Sequence, residues 1–173
     1  MKKIISCIIL ILFFSFICNA RNYTKYINNN YDYTIIVDYS ISSGKNRFFV
    51  YNLKKECILK SLCECGKESK GIPIFSNNIG SNCSSLGKFE VKYLSKMSND
   101  IPCFVLKGLD KSNNNALRRG IFIHPYITVP DFEINPYKLP IKSSKGCFII
   151  SPIKFIMLQR YIKNKKVLLY SIY

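Results

Sequence analysis

The sequence contains a single histidine, His124, and a cysteine, Cys147, that directly follows a glycine. An imidazole can accept the proton of a thiol, and the thiolate that results is a strong nucleophile. Gly146 allows a tight backbone turn, in which successive N–H groups can point at one oxyanion. These residue types predict acyl-transfer chemistry with Cys147 as nucleophile and His124 as base. The alternative that their spacing leaves open is a structural histidine beside an ordinary glycine–cysteine pair.

Runs of β-branched and aromatic residues predict strands in most of the chain. The predicted strands are 33–39, 47–53, 57–65, 89–94, 103–106, 120–124 and 167–173, with a further apolar run at 147–150. His124 ends one of these strands, where a side chain can emerge from a rigid sheet. Residues 66–87 are rich in Gly, Ser, Asn and Lys and predict a long loop of the kind that is often functional.

One helix is clearly signalled near the C-terminus. Ser151 can cap it, and Pro152 suits the first helical position, where its missing N–H costs nothing. Apolar residues then recur at helical spacing: Ile153, Ile156, Met157 and Tyr161. With no internal repeat or linker, the sequence predicts one mostly β domain with a single clear helix.

Composition limits the class of protein. The chain has 173 residues, 48% of them hydrophobic and 14% aromatic, which is enough for one domain with a core and excludes a disordered polar chain. No apolar run of about 20 residues follows position 20, which excludes a polytopic membrane protein.

Residues 1–20 have the order of a secretory signal peptide. Lys2 and Lys3 precede the apolar run 4–17, and small residues at 18 and 20 suit a cleavage site. An uncleaved anchor is the alternative. We expect a mature chain beginning at Arg21, with a flexible lead-in at 21–30 and no membrane span, in an extracytoplasmic location: periplasm, cell envelope or outside the cell.

The chain is strongly basic, with a net charge of +16. Removing Lys2 and Lys3 with the leader leaves 24 basic and 10 acidic residues, or +14. For an exported protein this charge favours contact with envelope polyanions, unless lysine is simply a common surface residue in this proteome. The only tight basic cluster is 163–166, and no nucleic-acid motif accompanies it, so we expect no nucleic-acid partner.

The strand 120–124 (GIFIH), followed by 144–147 (SKGC), resembles the catalytic domain of the L,D-transpeptidases (the YkuD-like family), in the branch called murein L,D-transpeptidase catalytic-domain-like. The segments 37–40, 84–87, 114–116 and 119–120 add to the resemblance, which runs from about residue 31 to residue 173. The resemblance implies a catalytic domain at 31–173 with a β-sandwich or barrel fold.

It also implies a reaction. Cys147 would attack the carbonyl of the third residue of a peptidoglycan stem tetrapeptide, and D-alanine would leave. His124 would take the thiol proton and later protonate the leaving amine. The N–H groups of Gly146 and Cys147 would hold the oxyanion, and Ser144 would shape the turn or orient His124. The thioester would then pass to an amine or to water, with no metal or other cofactor.

Four residues are candidates for substrate binding. Arg119 is either a clamp on a substrate carboxylate or an exposed charge at a strand start. Ser84 and Ser85 are either part of the substrate groove or loop residues. Lys145 stands beside the glycine–cysteine turn and could supply a charge to the substrate.

The chain departs from the family pattern at three places. Pro125 stands where glycine often follows the histidine, Ser143 where an arginine is usual, and Cys65 where a histidine is usual. These departures keep two alternatives open: a catalytically impaired relative that binds the cell wall, and a secreted effector with another amide substrate.

The mature chain keeps six cysteines. They are compatible with two disulfides and a spare thiol beside Cys147, or with small buried apolar residues. A sharper hypothesis is that Cys65 lies near Cys147 and can cap it as a reversible disulfide.

Overall fold

The computed structural model describes residues 21–69, 74–140 and 144–173. The predicted signal peptide lies outside the described residues, as do Lys142 and Ser143. Among the described residues, no helix has the length and apolar character needed to cross a bilayer.

Within the described ranges, eight strands form one sheet, which confirms the mostly β prediction. They are β1 (Tyr33–Asp38), β2 (Phe48–Asn52), β3 (Cys57–Ser61), β4 (Gly87–Lys96), β5 (Pro102–Gly108), β6 (Phe122–Pro125), β7 (Phe148–Ile150) and β8 (Val167–Ile172). Their order across the sheet is β3-β2-β1-β8-β4-β5-β6-β7. Neighbours pair antiparallel, except that β1 runs parallel to β8 and β6 runs parallel to β7.

The two edges of the sheet almost meet. Glu64, just beyond β3, forms an antiparallel bridge with Ile149 of β7, and its N–H donates to the Ile149 carbonyl at 2.8 Å. The sheet is therefore a nearly closed barrel, as the family resemblance implied. This closure places the chain after β3 beside the strand that follows Cys147.

Three strands differ in length from the sequence prediction by three residues or more. β3 ends at Ser61 rather than residue 65, because the chain then leaves β2 and Glu64 pairs with β7 instead. β4 and β5 are longer than predicted. A register shift between Val91 and Leu94 breaks the alternation of apolar and polar residues that reveals a strand in sequence.

Alternation along β6 and β7 divides their side chains between two faces. Ile123, Phe148 and Ile150 face inward, into the large core that fills the barrel. A smaller cluster, called here the outer cluster, packs on the other face; its members are Leu62, Val129, Leu139, Cys147 and Ile149.

The predicted helix, α1 (Pro152–Ile162), is present and capped as expected. The Ser151 hydroxyl accepts the N–H of Lys154 at 3.2 Å and donates to Asp131. The buried stripe, however, is Phe155, Leu158 and Ile162, whereas the predicted apolar positions Ile153 and Ile156 are 57% and 51% exposed. Both stripes are apolar in sequence, so helical spacing could not choose between them.

The segment 21–30 is tied to the sheet at its start. Thr24–Tyr26 forms a 3₁₀ turn, Tyr23 is buried, and its hydroxyl donates to Asp38 at 2.6 Å. Arg21 also pairs with Asp38, at 2.6 Å. This part of the segment is therefore packed, which differs from the loose lead-in that we expected.

Replacing Ser151 with alanine removes both the helix cap and the bond to Asp131. We expect the free energy of unfolding to fall by about 1–2 kcal/mol, the usual cost of losing such a cap, as measured by urea denaturation. Asp131→Ala removes only the second bond and should cost less. An equal loss in the two variants would contradict the role of the cap.

Candidate active site

Cys147 lies at the end of a turn that joins the irregular segment before it to β7. Its side chain is buried, with 7% exposed. The Sγ atom accepts the N–H of Phe122 at 3.4 Å and donates to the carbonyl of Gly120 at 3.5 Å. The thiol is thus held against the start of β6 by two backbone groups.

Gly146 is required by the shape of this turn. Its φ is +119°, a conformation that L side chains rarely adopt. A Cβ atom built there would lie 2.5 Å from the carbonyl oxygen of Cys83 and 2.8 Å from a guanidinium nitrogen of Arg119. No other residue fits without moving these neighbours.

Ser144 closes the turn from within. Its hydroxyl donates to the carbonyl of Cys147 at 3.1 Å and accepts the N–H of Gly146 at 3.3 Å. The sequence left two roles open for Ser144, and these two hydrogen bonds fit the one that shapes the turn. The N–H of Gly146 therefore points at Ser144 and not at a substrate oxygen, which does not fit the oxyanion role expected of Gly146.

His124 is fixed near the end of β6. Its Nδ1 lies 3.0 Å from the carbonyl oxygen of Pro125. Because a carbonyl can only accept, Nδ1 carries the proton, and in the neutral ring Nε2 is left as the acceptor. The backbone carbonyl of Pro125 thus selects the tautomer, a group that any residue at this position would supply.

His124 and Cys147 share one face of the sheet. Pairing of β6 with β7 aligns Ile123 with Phe148 and His124 with Ile149, so alternation puts His124 and Cys147 on the face opposite the barrel core. Both line one cavity of about 310 Å³. Its other lining residues are Met97, Asn99, Ile101, Arg119, Gly120, Tyr126, Ser144, Lys145 and Ile149.

Burial keeps both reactive groups neutral at rest. It raises the pKa of the Cys147 thiol to about 11, against smaller lowering effects from the Phe122 N–H and the Arg119 charge. It also lowers the pKa of His124, more than the Pro125 carbonyl raises it. The resting site therefore holds a thiol and an imidazole rather than a thiolate–imidazolium pair.

Arg119 is neither an exposed charge nor a free clamp. Nη1 donates to the Ser76 carbonyl and the Ser85 hydroxyl, each at 2.8 Å. Nη2 donates to the carbonyls of Cys83 and Lys145. All four terminal N–H groups are spent on protein oxygens. Arg119 therefore ties the loop 74–85 to the cysteine turn, and the carboxylate clamp expected from sequence is not formed by these groups.

Ser84 and Ser85 are not at the cavity surface. They are 0% and 1% exposed. The Ser84 hydroxyl accepts the N–H of Gly66 at 2.9 Å and donates to the hydroxyl of Tyr39 at 3.2 Å, while that of Ser85 accepts from Arg119. The substrate-binding role expected for them is replaced by a structural one, because both hydroxyls are buried and already bonded.

Lys145 is exposed and lines the cavity, which leaves it as the predicted substrate-binding residue that can still reach a ligand. Four further residues line the cavity without having been predicted from sequence: Met97, Asn99 and Ile101, which come from the β4–β5 turn, and Tyr126, which follows β6. Only the pairing of β5 with β6 brings that turn beside His124, so no local signal could have found it.

All six cysteines of the described residues are free thiols. Cys65 faces the barrel core, whereas Cys147 belongs to the outer cluster, so the two lie on opposite faces of the sheet wall. This arrangement contradicts the proposed disulfide between them, because their side chains point apart. Cys103 instead affects the Cys147 thiol electrostatically.

Within the described ranges, no group of three or more His, Cys, Asp or Glu residues could hold a metal ion.

The neutral resting pair gives a testable pH dependence. A thiol whose pKa is about 11 is mostly protonated at pH 8, so alkylation of Cys147 by iodoacetamide should be at least about 10-fold slower than that of a free cysteine peptide. The rate should keep rising between pH 8 and pH 10, as measured by mass spectrometry of the Cys147 peptide. His124→Gln should leave this rate unchanged. A fast, pH-independent rate above pH 7 would show a thiolate–imidazolium pair instead.

Arg119→Lys should destabilise the fold, because an ammonium cannot reach the four oxygens that the guanidinium contacts. We expect the free energy of unfolding to fall by about 2 kcal/mol in urea denaturation. The neighbouring Arg118 is exposed, and Arg118→Lys should change the free energy of unfolding by less than about 0.5 kcal/mol. Similar values for the two variants would argue against the tie between the loop and the turn.

The family model described as "L,D-transpeptidase catalytic domain" matches residues 11–171. The comparison with curated proteins returned no match. Among solved structures, a variant of the helical cell shape determining protein Pgp2 from Campylobacter jejuni is similar, with a TM-score of 0.56 and 12% identity over 84% of this chain and 48% of that chain. Unmutated Pgp2 gives a TM-score of 0.48 and 14% identity over 80% of this chain and 46% of that chain.

An L,D-transpeptidase from Stackebrandtia nassauensis gives a TM-score of 0.49 and 10% identity over 89% of this chain and 60% of that chain. The chain thus spans about half to three fifths of the length of these structures. At such identities the Pgp2 variant shows a shared fold alone, and the family model decides the assignment. Because that model covers nearly the whole sequence, the chain belongs to the L,D-transpeptidase catalytic domain family.

Proposed function

We propose that this protein is an exported cysteine acyl-transferase that acts on peptidoglycan stem peptides. The observation that carries the proposal is that Cys147 and His124 line the same cavity, with Nδ1 of His124 held by the Pro125 carbonyl. A nucleophile, a base of fixed tautomer and a concave site are what covalent acyl transfer needs. Membership of the family supplies the substrate class.

In the first step, the Cys147 thiol gives its proton to Nε2 of His124 while Sγ bonds to the carbonyl carbon of the third stem residue. The carbonyl oxygen becomes an oxyanion. At rest the thiol donates to the Gly120 carbonyl, so it must turn from that oxygen toward the imidazole when substrate binds. Because the charges appear only in the reaction, the low polarity of the site does not trap an ion pair beforehand.

In the second step, the tetrahedral intermediate collapses and the bond to the D-alanine nitrogen breaks. The imidazolium returns its proton to that nitrogen, so D-alanine leaves as a neutral amine and the acyl group remains on Sγ as a thioester. Attack by an amine of a second stem would make a cross-link, whereas attack by water would give a carboxylate. Either attack regenerates the thiol.

The oxyanion needs donors other than the Gly146 N–H, which already serves Ser144. We infer that the N–H of Cys147 takes this part, and that the exposed Lys145 offers its ammonium to substrate carboxylates at the cavity rim. Ser144 and Arg119 are positioning residues, because both hold the turn and neither presents a free terminal donor to the cavity. No metal or other cofactor enters these steps.

Export is the second part of the proposal. The leader-like order of residues 1–20 supports it, and so does the family, since peptidoglycan lies outside the cytoplasmic membrane. A periplasmic, envelope or secreted location follows.

A competing function is a wall-binding relative without turnover. The buried thiol, whose pKa is about 11, and the engaged Gly146 N–H favour it, since both weaken the resting nucleophile and the oxyanion site. A secreted effector with another amide substrate stays the third candidate, because a fold does not determine a substrate.

Incubation of the protein with tetrapeptide muropeptides, followed by mass spectrometry, tests the proposal. We expect loss of D-alanine, with or without a 3-3 linked dimer, and a drop of at least about 1,000-fold in Cys147→Ala and of about 100-fold or more in His124→Gln. Cys63→Ala, which alters a buried thiol of the barrel core that does not line the cavity, should retain activity.

Binding of the muropeptide without either product would support the wall-binding relative and contradict the enzyme. A carbapenem adduct on Cys147, present in the wild type and absent from Cys147→Ala, would give independent support for a competent nucleophile. The ratio of dimer to shortened monomer reports whether an amine or water reaches the thioester.

A further inference from the structure

We propose that a second groove, on the same outer side of the sheet as the catalytic cavity, binds the saccharide strand of the polymer whose stem peptide enters that cavity. This inference rests on the proposed function. The groove has a volume of about 560 Å³. Its floor is formed by Tyr23, Phe49 and Tyr51, and its rim includes Lys45, Asn46 and Lys60.

The floor of the groove is a rigid aromatic surface. Phe49 and Tyr51 lie two residues apart on β2 and so point to the same face, and both are partly exposed. Tyr23 packs against Phe49, with ring centroids 5.2 Å apart, and against Tyr51 at 6.4 Å. The bond from the Tyr23 hydroxyl to Asp38 holds this ring in place. Partly exposed ring faces on a fixed support suit a flat apolar surface such as the C–H face of a sugar ring.

The rim of the groove provides cations with hydrogen-bond donors. Lys60 lies across from Phe49 in the pairing of β2 with β3, and Lys45 is in the turn before β2; both side chains are exposed. No described residue forms a salt bridge with either ammonium. The third cation, Arg21, is already paired with Asp38.

The acidic residue at the rim is also engaged. One carboxylate oxygen of Glu133 accepts both the backbone N–H of Asn46, at 2.9 Å, and its side-chain amide, at 2.8 Å. With Arg21 paired to Asp38, two unpaired lysines face the single carboxylate of Glu133, so the rim is net positive. Aromatic faces bordered by ammonium and amide groups match a ligand with hydroxyls, amides and nearby carboxylates, which describes a peptide-bearing saccharide strand.

The groove and the catalytic cavity are neighbours on one surface. Lys60 and Leu62 are two residues apart, so both face outward; Lys60 lines the groove, and Leu62 packs in the outer cluster with Cys147. The segment 126–140 separates the two sites and gives a wall to each: Tyr126 to the cavity, and Glu133 and Asn135 to the groove. A ligand long enough to cross this segment could occupy both sites.

Binding to purified sacculi tests the inference, with Cys147→Ala as the background so that no turnover occurs. Phe49→Ala or Tyr51→Ala should each raise the apparent Kd in a pelleting assay about 10-fold, the loss expected for one aromatic contact. Lys60→Glu, an exposed change that should not disturb folding, should weaken binding by a similar factor. Tyr93→Ala and Lys163→Glu, which change an exposed aromatic and an exposed lysine elsewhere, should bind as the parent does.

Cys57 offers a direct reading of groove occupancy. It lines the groove, lies across from Tyr51, and is less buried than the other five described cysteines. A β-1,4-linked N-acetylglucosamine hexamer should slow its alkylation at pH 9 at least about threefold, while the rate at Cys147 stays constant. Phe49→Ala should abolish this protection.

Three outcomes would overturn the inference: unchanged sacculus binding in Lys60→Glu, no protection of Cys57 by the hexamer, or weakening by Lys60→Glu alone with both aromatic variants unaffected. The last result would mean attraction of an anionic polymer by charge. In the protein that keeps Cys147, Lys60→Glu should change the release of D-alanine from a free tetrapeptide by less than about twofold. A larger loss would also count against a separate groove. If no variant releases D-alanine but groove-dependent binding persists, the proposed enzyme fails and the groove stands.

Discussion

The parallel pairing of β6 with β7 is the constraint on which the site depends. It aligns His124 with Ile149, and the two-residue period of a strand then sends His124 and Cys147 to the same side of the barrel wall. A shift by one residue would move one of them into the core. The inward-facing Ile123, Phe148 and Ile150 prevent that shift, because they would have to leave the barrel interior. Packing of the core thus sets the position of the reactive groups.

The same packing determines the electrostatics of the site. Cys147 sits among apolar residues of the outer cluster, so its ionised form is disfavoured, and the nearby imidazole is disfavoured as a cation. A site built in this way therefore holds neutral side chains at rest. Burial also limits the reaction of this thiol with other electrophiles. Backbone groups of Gly120 and Phe122, rather than charged side chains, hold the sulfur meanwhile.

The sequence was informative wherever the signal was local. Helix capping by Ser151, the strands with clean alternation and the glycine–cysteine turn were all readable, and Gly146 proved necessary for two physical reasons, its positive φ and the close approach of Cys83 and Arg119. Arg119, Ser84 and Ser85 were marked by their resemblance to family positions. The structure, however, buries both serine hydroxyls, and the terminal guanidinium nitrogens donate to one of these hydroxyls and to three backbone carbonyls. In each case the sequence did not predict the direction of the side chain, because that direction depends on how the loop 74–85 packs against the cysteine turn. The walls contributed by Met97 and Ile101 depend in turn on strand order, which no single segment encodes.

The segment 126–140 lies between the groove and the cavity and is held in place by contacts beside each. The N–H of Ile134 donates to the Gly44 carbonyl at 2.9 Å, and Glu133 is bonded to Asn46, so the segment is fixed to the turn beside the groove. Val129 and Leu139 pack in the outer cluster with Cys147, and the Tyr126 N–H donates to the Ile150 carbonyl at 3.0 Å, so the segment is also fixed to Cys147 and β7. Gly44 permits the first attachment, since a Cβ there would overlap the Tyr137 carbonyl at 1.9 Å. One packed segment therefore forms part of the wall of both the groove and the cavity, so the contacts that fix its position involve residues beside both.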